Sequence, residues 1–237
     1  YRCWEAVCDQ AAGPVHTIYL SPCGHTFRQE DAVRLSKMDN LILVCGHYEG
    51  IDQRFIDECH KRGIAVILDV VLNHATGLFP YAKMWWDSYN NCTTDANPFF
   101  NRVARHPYNV YHDFNHEYIE TRIYFKRMLK FWMEEFKVDG FRFDLSKGLT
   151  QKNSGTSESN VGAWSSYDSS RIAIIKEYAD AIRSYSDDAY IILEHFADYS
   201  EENELASYRD ILLWNKQSEP YYQTAMGYNT SSDFSGD

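Results

Sequence analysis

Short apolar runs separated by stretches of helical period restrict the fold of this chain more than any other feature. Residues 41–45, 64–72 and 190–193 are almost wholly apolar, too short for core helices and suited to strands buried on both faces. A first strand is predicted at residues 15–20, followed by a turn at Ser21, Pro22 and Gly24, with Thr26 and Gln29 as the capping box of a helix. Beyond Gly50, Ile51, Phe55, Ile56 and Cys59 recur at helical spacing, and Gly63 supplies the stop. Residues 15–72 thus read β, α, β, α, β, which requires a parallel sheet. A long helix is predicted over about residues 117–137, with Ile119, Ile123, Met128, Leu129, Trp132 and Phe136 as its apolar stripe. A strand at 138–145, a polar loop at 150–166, a helix capped by Ser170, and strands at 190–193 and 211–214 follow. The alternation predicts an α/β barrel or a doubly wound sheet.

Residues 75–115 break the pattern. They are rich in Asn, Tyr, Pro and His without a sustained period, as in a long functional excursion over a scaffold. Their aromatics Tyr81, Trp85, Trp86, Phe99 and Phe100 admit two readings, platforms for sugar rings or a small satellite core. An excess of 34 acidic over 23 basic residues argues against a nucleic-acid surface. An aromatic content of 16% excludes disorder, and no apolar run approaches the roughly 18 residues of a membrane span. Six cysteines (Cys3, Cys8, Cys23, Cys45, Cys59, Cys92) without a C-x-x-C pair indicate neither a zinc site nor a disulfide framework, so free thiols are expected. The chain opens at Tyr1 without a signal-type segment. The expectation is a missing native start and a cytoplasmic location for these residues as they stand.

Three acids stand at the C-terminal ends of predicted strands. Asp69 precedes Val70, Val71, Leu72, Asn73 and His74; Asp144 closes Gly140, Phe141, Arg142, Phe143; and Glu194 follows Ile191, Ile192 and Leu193. Strand alternation places Arg142 and Asp144 on one face and Phe141, Phe143 and Leu145 on the other. A carboxylate beside a guanidinium stays ionised, as a nucleophile must. Glu194 is the candidate proton donor, because desolvation at an apolar strand end favours the neutral carboxyl. One ionised and one protonated carboxyl is the pairing used in glycoside hydrolysis. Taken singly, each acid is as well explained as a cap or a surface ion pair, and His74 alone as a structural histidine. Together on successive strands they match the way barrel sites are assembled.

These motifs make residues 59–237 resemble the α-amylase family of glycoside hydrolases, family 13. Three of that family's four signature motifs are present in order: Asp69 to His74, Gly140 to Lys147, and Glu194 with its strand. The resemblance implies a (β/α)8 barrel with an inserted domain at about 75–115. It implies Asp144 as nucleophile, Glu194 as general acid/base, and Arg142 as the residue that keeps Asp144 ionised. His74, Lys147 and Asp69 would join the substrate site, and Asn73 would be a calcium ligand. The substrate would be an α-1,4-glucan such as starch or a maltooligosaccharide, and such a parent would be secreted or periplasmic. Gly148 follows Lys147 where the family often has His. The fourth motif, with its third carboxylate in a His-Asp pair, has no counterpart, and the only His-Asp dipeptide, His112 and Asp113, lies in the insertion. An incomplete barrel with strands three to five or six and little activity is the expectation.

Residues before 59 resemble another family, bacterial tRNA guanine-N1 methyltransferase. The resemblance rests on Ile18 to Gly24 and on Leu41 to Arg54, spanning His47, Tyr48, Glu49 and Gly50. It implies that Gly24, Gly46, Tyr48, Glu49 and Gly50 line part of an S-adenosylmethionine pocket. That family's third loop, catalytic aspartate and tRNA-binding domain have no counterpart here. The expected organisation is therefore a methyltransferase-like βαβα segment over residues 1–58 and a glycosidase barrel fragment over 59–237, joined inside the helix at 51–62. Useful S-adenosylmethionine binding is not expected from half a pocket.

Overall fold

A computed structural model describes residues 8–11, 13–19, 29–38, 40–44, 53–214 and 218–227. Two compact units emerge, residues 1–65 and 66–237. In the first, β1 (Val15–Tyr19) and β2 (Asn40–Val44) pair in parallel, and α1 (Gln29–Leu35) lies between them in the chain. The next helix, α2 (Gln53–Lys61), buries Ile56 and ends where the sequence predicts. Gly63 takes φ +69°, its amide donates to the His60 carbonyl (2.9 Å), and the Ile64 amide donates to Cys59 (3.0 Å). These are the two bonds of a Schellman stop. Cys8 is a free, half-buried thiol and Cys59 is half-buried; Cys3, Cys23, Cys45 and the capping residue Thr26 lie outside the described residues.

In the second unit, β3 (Ile67–Val71) leads into an excursion of short pieces: β4 (His74–Ala75), α3 (Pro80–Lys83), β5 (Trp86–Asp87), β6 (Cys92–Thr93) and β7 (His112–Asp113). The chain then runs through α4 (Ile119–Glu135), β8 (Gly140–Asp144), α5 (Val161–Ser165), α6 (Ser169–Arg183), β9 (Tyr190–Leu193), α7 (Tyr199–Ala206), β10 (Leu212–Leu213) and α8 (Ser218–Ala225). Strands β3, β8, β9 and β10 form one parallel sheet in chain order. Phe141, Phe143, Ile191 and Leu193 are buried, as alternation along each strand requires. Gly140 is needed where β8 and β9 begin to pair, because a Cβ there would stand 2.1 Å from the Tyr190 carbonyl.

Several expectations change. The buried face of α4 is Thr121, Phe125, Leu129 and Met133, while Ile119 and Ile123 are exposed. That helix carries apolar residues at several phases, and packing selects one of them. The cap of α6 is Asp168, whose carboxylate accepts from the amides of Ser170 and Arg171, and Ser170 is the second residue of the helix. The loop at 150–166 contains α5, with Trp164 buried. In the excursion, Tyr81 stacks on Phe99 (4.8 Å), Trp85 meets Phe99 edge-on, and Phe79 meets Phe100 and Phe114 edge-on. Four of the five candidate sugar platforms therefore form the satellite core, and Trp86 stands apart from it. Among the described residues no helix is long and apolar enough to cross a membrane.

His116 joins the end of β3 to the helices. Its ring donates from Nε2 to the Leu72 carbonyl (2.7 Å) and accepts at Nδ1 from the Tyr178 hydroxyl (2.8 Å). Burial pushes its pKa down to about 4 from the ordinary 6.5, partly opposed by the Leu72 carbonyl. A histidine depressed in the folded state contributes stability above its unfolded pKa, and that contribution is lost as the pH falls toward the folded value. Acidification from pH 6.5 to about 4 is expected to remove on the order of 3 kcal/mol through this group alone. Urea unfolding at pH 7 and pH 4.5 checks it: His116→Gln, which keeps a donor and an acceptor, should flatten the pH dependence, and an unaltered slope would refute the assignment.

Candidate active site

Parallel register brings the three strand-end acids to one guanidinium. Asp69 on β3 lies opposite Arg142 on β8, and Glu194 follows β9, its amide donating to the Phe143 carbonyl (3.0 Å). Arg142 Nη1 contacts Asp69 (2.8 Å) and Asp144 (2.6 Å), and Nη2 contacts Glu194 (2.9 Å). The contacted oxygens of Asp144 and Glu194 therefore lie within about 8 Å of each other, since one rigid guanidinium bridges them. Burial alone would lower the pKa of Arg142, but the hydrogen bonds from Asp69 and Asp144 outweigh it and hold the guanidinium above its ordinary range. Its face rests on the Trp214 ring, 4.1 Å from the centroid.

Left-handed residues follow the ends of both β8 and β9. Leu145 (φ 45°, ψ 48°) turns its amide onto Glu194 Oε2 (2.9 Å), and Phe196 takes φ 52°. Such conformations in side-chain-bearing residues cost about 1–3 kcal/mol and persist where the surroundings enforce them. Glu194 was expected to owe its role to desolvation by apolar neighbours. Its carboxylate accepts from the Leu145 amide and pairs ionically with Arg142.

The enforcing structure is a buried polar network behind the strand ends. Ser146 donates its amide to the Glu194 carbonyl (2.8 Å), and its hydroxyl lies 2.9 Å from His195 Nδ1. His195 Nε2 donates to Glu201 (2.8 Å), which forks onto Arg171 at 2.6 and 2.7 Å. Burial pushes the pKa of His195 down, opposed by Glu201, so the ring is neutral between these partners at pH 7. Lys147, expected at the substrate, is buried in this region. Its ammonium donates to Ser165 (3.0 Å) and to the Phe196 carbonyl (3.1 Å) and lies over Trp164.

His74 is half-buried and faces the charge of Asp144, with Nδ1 unpartnered; burial pushes its pKa below the ordinary value, partly opposed by Asp144. Asn73 is fully buried, its amide donating to the Leu145 carbonyl while Oδ1 has no partner. Gly148 is required beside it, since a Cβ there would lie 2.6 Å from Asn73 Cβ. The orphan oxygen of Asn73 suits a hard cation, but calcium takes six to eight oxygens. Among the described residues no cluster of three His, Cys, Asp or Glu could hold a metal. Gly24, Gly46, Tyr48, Glu49 and Gly50 lie outside the described residues. Sequence reading missed Trp214, His195, Arg171 and Glu201. The dipeptide Glu194-His195 is the one signal that pointed to the network.

The fold is α/β with a parallel sheet, and it is shared with solved structures of low sequence identity. Eubacterium rectale Amy13B superposes with a TM-score of 0.56 at 22% identity, over 75% of this chain and 37% of that one. A MutB mutant solved in complex with the substrate sucrose superposes at 0.57 with 17% identity, over 71% and 36%. Residues 2–77, in contrast, match the tRNA (Guanine-1)-methyltransferase TrmD family. The tRNA (guanine-N(1)-)-methyltransferase of Alkaliphilus metalliredigens is 67% identical over 53 residues, 22% of each chain. That of Helicobacter pylori strain Shi470 is 32% identical over 116 residues, 43% of this chain and 51% of the relative. The chain spans about half the length of these curated relatives or less. A TrmD-like segment and an α/β fold like that of Amy13B thus stand in one polypeptide.

The Arg142 cluster sets an expectation. Arg142→Gln leaves three carboxylates without their cation, and for partly exposed groups this should cost about 2 kcal/mol at neutral pH. Thermal unfolding at pH 7.5 is the check: the midpoint should fall, and a wild-type midpoint would show that the three carboxylates do not repel one another without Arg142.

Proposed function

We propose that residues 66–237 form part of a (β/α)8 barrel of the retaining glycoside-hydrolase type, acting on α-1,4-glucans such as starch or maltooligosaccharides. The observation that carries this reading is the single guanidinium shared by Asp144 and Glu194 at adjacent strand ends. Retaining enzymes keep these two carboxyls about 5–5.5 Å apart, within the span that one arginine bridges. Asp144, ionised beside Arg142, attacks the anomeric carbon while Glu194 gives its proton to the departing glycosidic oxygen. A covalent glycosyl-enzyme results. Glu194, now a carboxylate, takes a proton from water, whose oxygen attacks the same carbon and releases Asp144. Proton donation requires Glu194 to exchange its Arg142 contact for substrate, and the Leu145 amide keeps one oxygen oriented meanwhile. His74 lies beside Asp144 and is suited to contact a sugar hydroxyl.

The third carboxylate of such sites is not supplied by Asp113. It is buried, and its oxygens are taken by Asn101, Asn109 and the Arg105 amide, with His106 3.3 Å away. Asp233 lies outside the described residues. Losing one member of a preorganised charged set commonly lowers turnover by about 100-fold or more. The 237-residue chain is therefore expected to hydrolyse soluble starch little faster than its Asp144→Asn variant, measured on purified monomer by reducing-end release. A rate far above that blank would overturn the expectation of inactivity.

A second reading rests on the match of residues 2–77 to the TrmD family. It makes the first unit part of an S-adenosylmethionine-dependent tRNA guanine-N1 methyltransferase. We infer that the segment by itself lacks a working cofactor site, because a pocket must enclose most of its ligand. Calorimetry with S-adenosylmethionine is expected to show no saturable binding; a dissociation constant of about 10 μM or tighter, roughly −7 kcal/mol, would make the methyltransferase reading the stronger one.

A further inference from the structure

The guanidinium of Arg142 divides its contacts unequally. Its hydrogen bonds to Asp69 (2.8 Å) and Asp144 (2.6 Å) both leave from Nη1, and an amino group has two hydrogens, so Nη1 is fully used. Glu194 meets Nη2 at 2.9 Å in an ion pair. Nε is buried and has no hydrogen-bond partner. Two bonds that share one nitrogen fix the place of that nitrogen but not the plane around it. The carboxylates by themselves therefore leave the guanidinium free to tilt about Nη1.

Trp214 supplies the missing restraint. Its ring centroid lies 4.1 Å from Arg142 Cζ, and a flat cation is drawn to an aromatic face most strongly when it lies along it. The ring is placed by the sheet: Trp214 directly follows β10, and its amide donates to the carbonyl of Leu193 (2.9 Å), the residue before Glu194. The strand that carries one acid thus also sets the ring that faces the acid's cation. Trp214 is itself 43% exposed, so its replacement empties no enclosed part of the core.

We propose that Trp214 is a positioning residue, which holds the Arg142 guanidinium in the plane where Nη1 serves Asp69 and Asp144 while Nη2 faces Glu194. Its value for catalysis rests on the hydrolase reading, in which Glu194 must leave Nη2 to protonate the glycosidic oxygen while Asp144 keeps its cation. A guanidinium held by its face stays on Asp144 when Glu194 exchanges partners; one free to tilt would follow the departing carboxylate and draw charge away from the nucleophile.

The experiment follows the guanidinium nitrogens of the full 237-residue chain by NMR with 15N-labelled arginine at pH 7, the Arg142 signals being assigned by their loss in Arg142→Lys. Rotation about the Nε–Cζ bond of Arg142 is expected to speed up about fivefold or more in Trp214→Leu, and to return close to the wild-type rate in Trp214→Phe, which restores an aromatic face. Arg171, in its buried pair with Glu201, serves as the reference in the same spectra and should not change. An unaltered Arg142 rate in Trp214→Leu, a Trp214→Phe variant as fast as Trp214→Leu, or an equal acceleration of Arg171, which would make Trp214 a merely structural residue, would each overturn the proposal. Hydrolysis is not the readout, so an inactive chain tests the restraint as well as an active one, and failure of the hydrolase reading is registered separately by the comparison with Asp144→Asn.

Discussion

The pairing of Arg171 with Glu201, wholly removed from water, is the contact from which the site is built outward. A buried ion stripped of its partner costs several kcal/mol, so every group that satisfies this pair is fixed with it. The remaining guanidinium hydrogens go to the carbonyls of Lys147, Trp164 and Ser166, which belong to the turn after β8 and to α5 and its exit. Glu201 in turn accepts from the Asp168 amide at the start of α6 and from His195 just beyond β9. Three stretches distant in sequence, around residues 147, 164–171 and 195–201, are thereby tied to one another beneath the strand ends. Desolvation would raise the pKa of Glu201, yet its hydrogen bonds to His195 and Arg171 more than reverse this, and it stays charged.

That anchoring explains the unusual backbone above it. Leu145, directly after β8, and Phe196, three residues beyond β9, sit in the left-handed region, where a freely chosen residue would be glycine. Both turns are locked by the network: Ser146 through His195 and the Glu194 carbonyl, Phe196 through the Lys147 ammonium. The consequence is chemical. Leu145 aims its amide at Glu194, and Arg142 is held by Trp214 on one side and by three carboxylates around its edge. A lysine used for packing and a strained leucine thus contribute to the orientation of the acids without touching a substrate.

The two units satisfy the same local rule by different sequences. The first pairs β1 and β2 in parallel with a helix between them in the chain; the second repeats that connection from β3 to β10. A parallel pair needs a crossover of a dozen residues or more and apolar strands. A methyltransferase-like segment and an amylase-like segment both provide them. Strand–helix alternation is accordingly continuous across a change in resemblance, and it carries no information about which chemistry a segment serves.

Much of this was legible in the residues themselves. Apolar runs located β3, β8 and β9 to within a few residues, Gly63 marked the end of α2, and strand alternation put Arg142 and Asp144 on one face and Phe141 and Phe143 on the other. These are local consequences of periodicity and backbone freedom, so the sequence alone determined them. Which face of α4 is buried, that Asp168 rather than Ser170 caps α6, and that Lys147 is spent inside were decided by tertiary packing. Each depends on a partner dozens of residues away, and no spacing along the chain encodes it. The same holds for the environment of Glu194: an apolar strand predicted a desolvated carboxyl, and only the sheet register that brings Arg142 and the Leu145 amide to it decided that it accepts one hydrogen bond and pairs with a guanidinium.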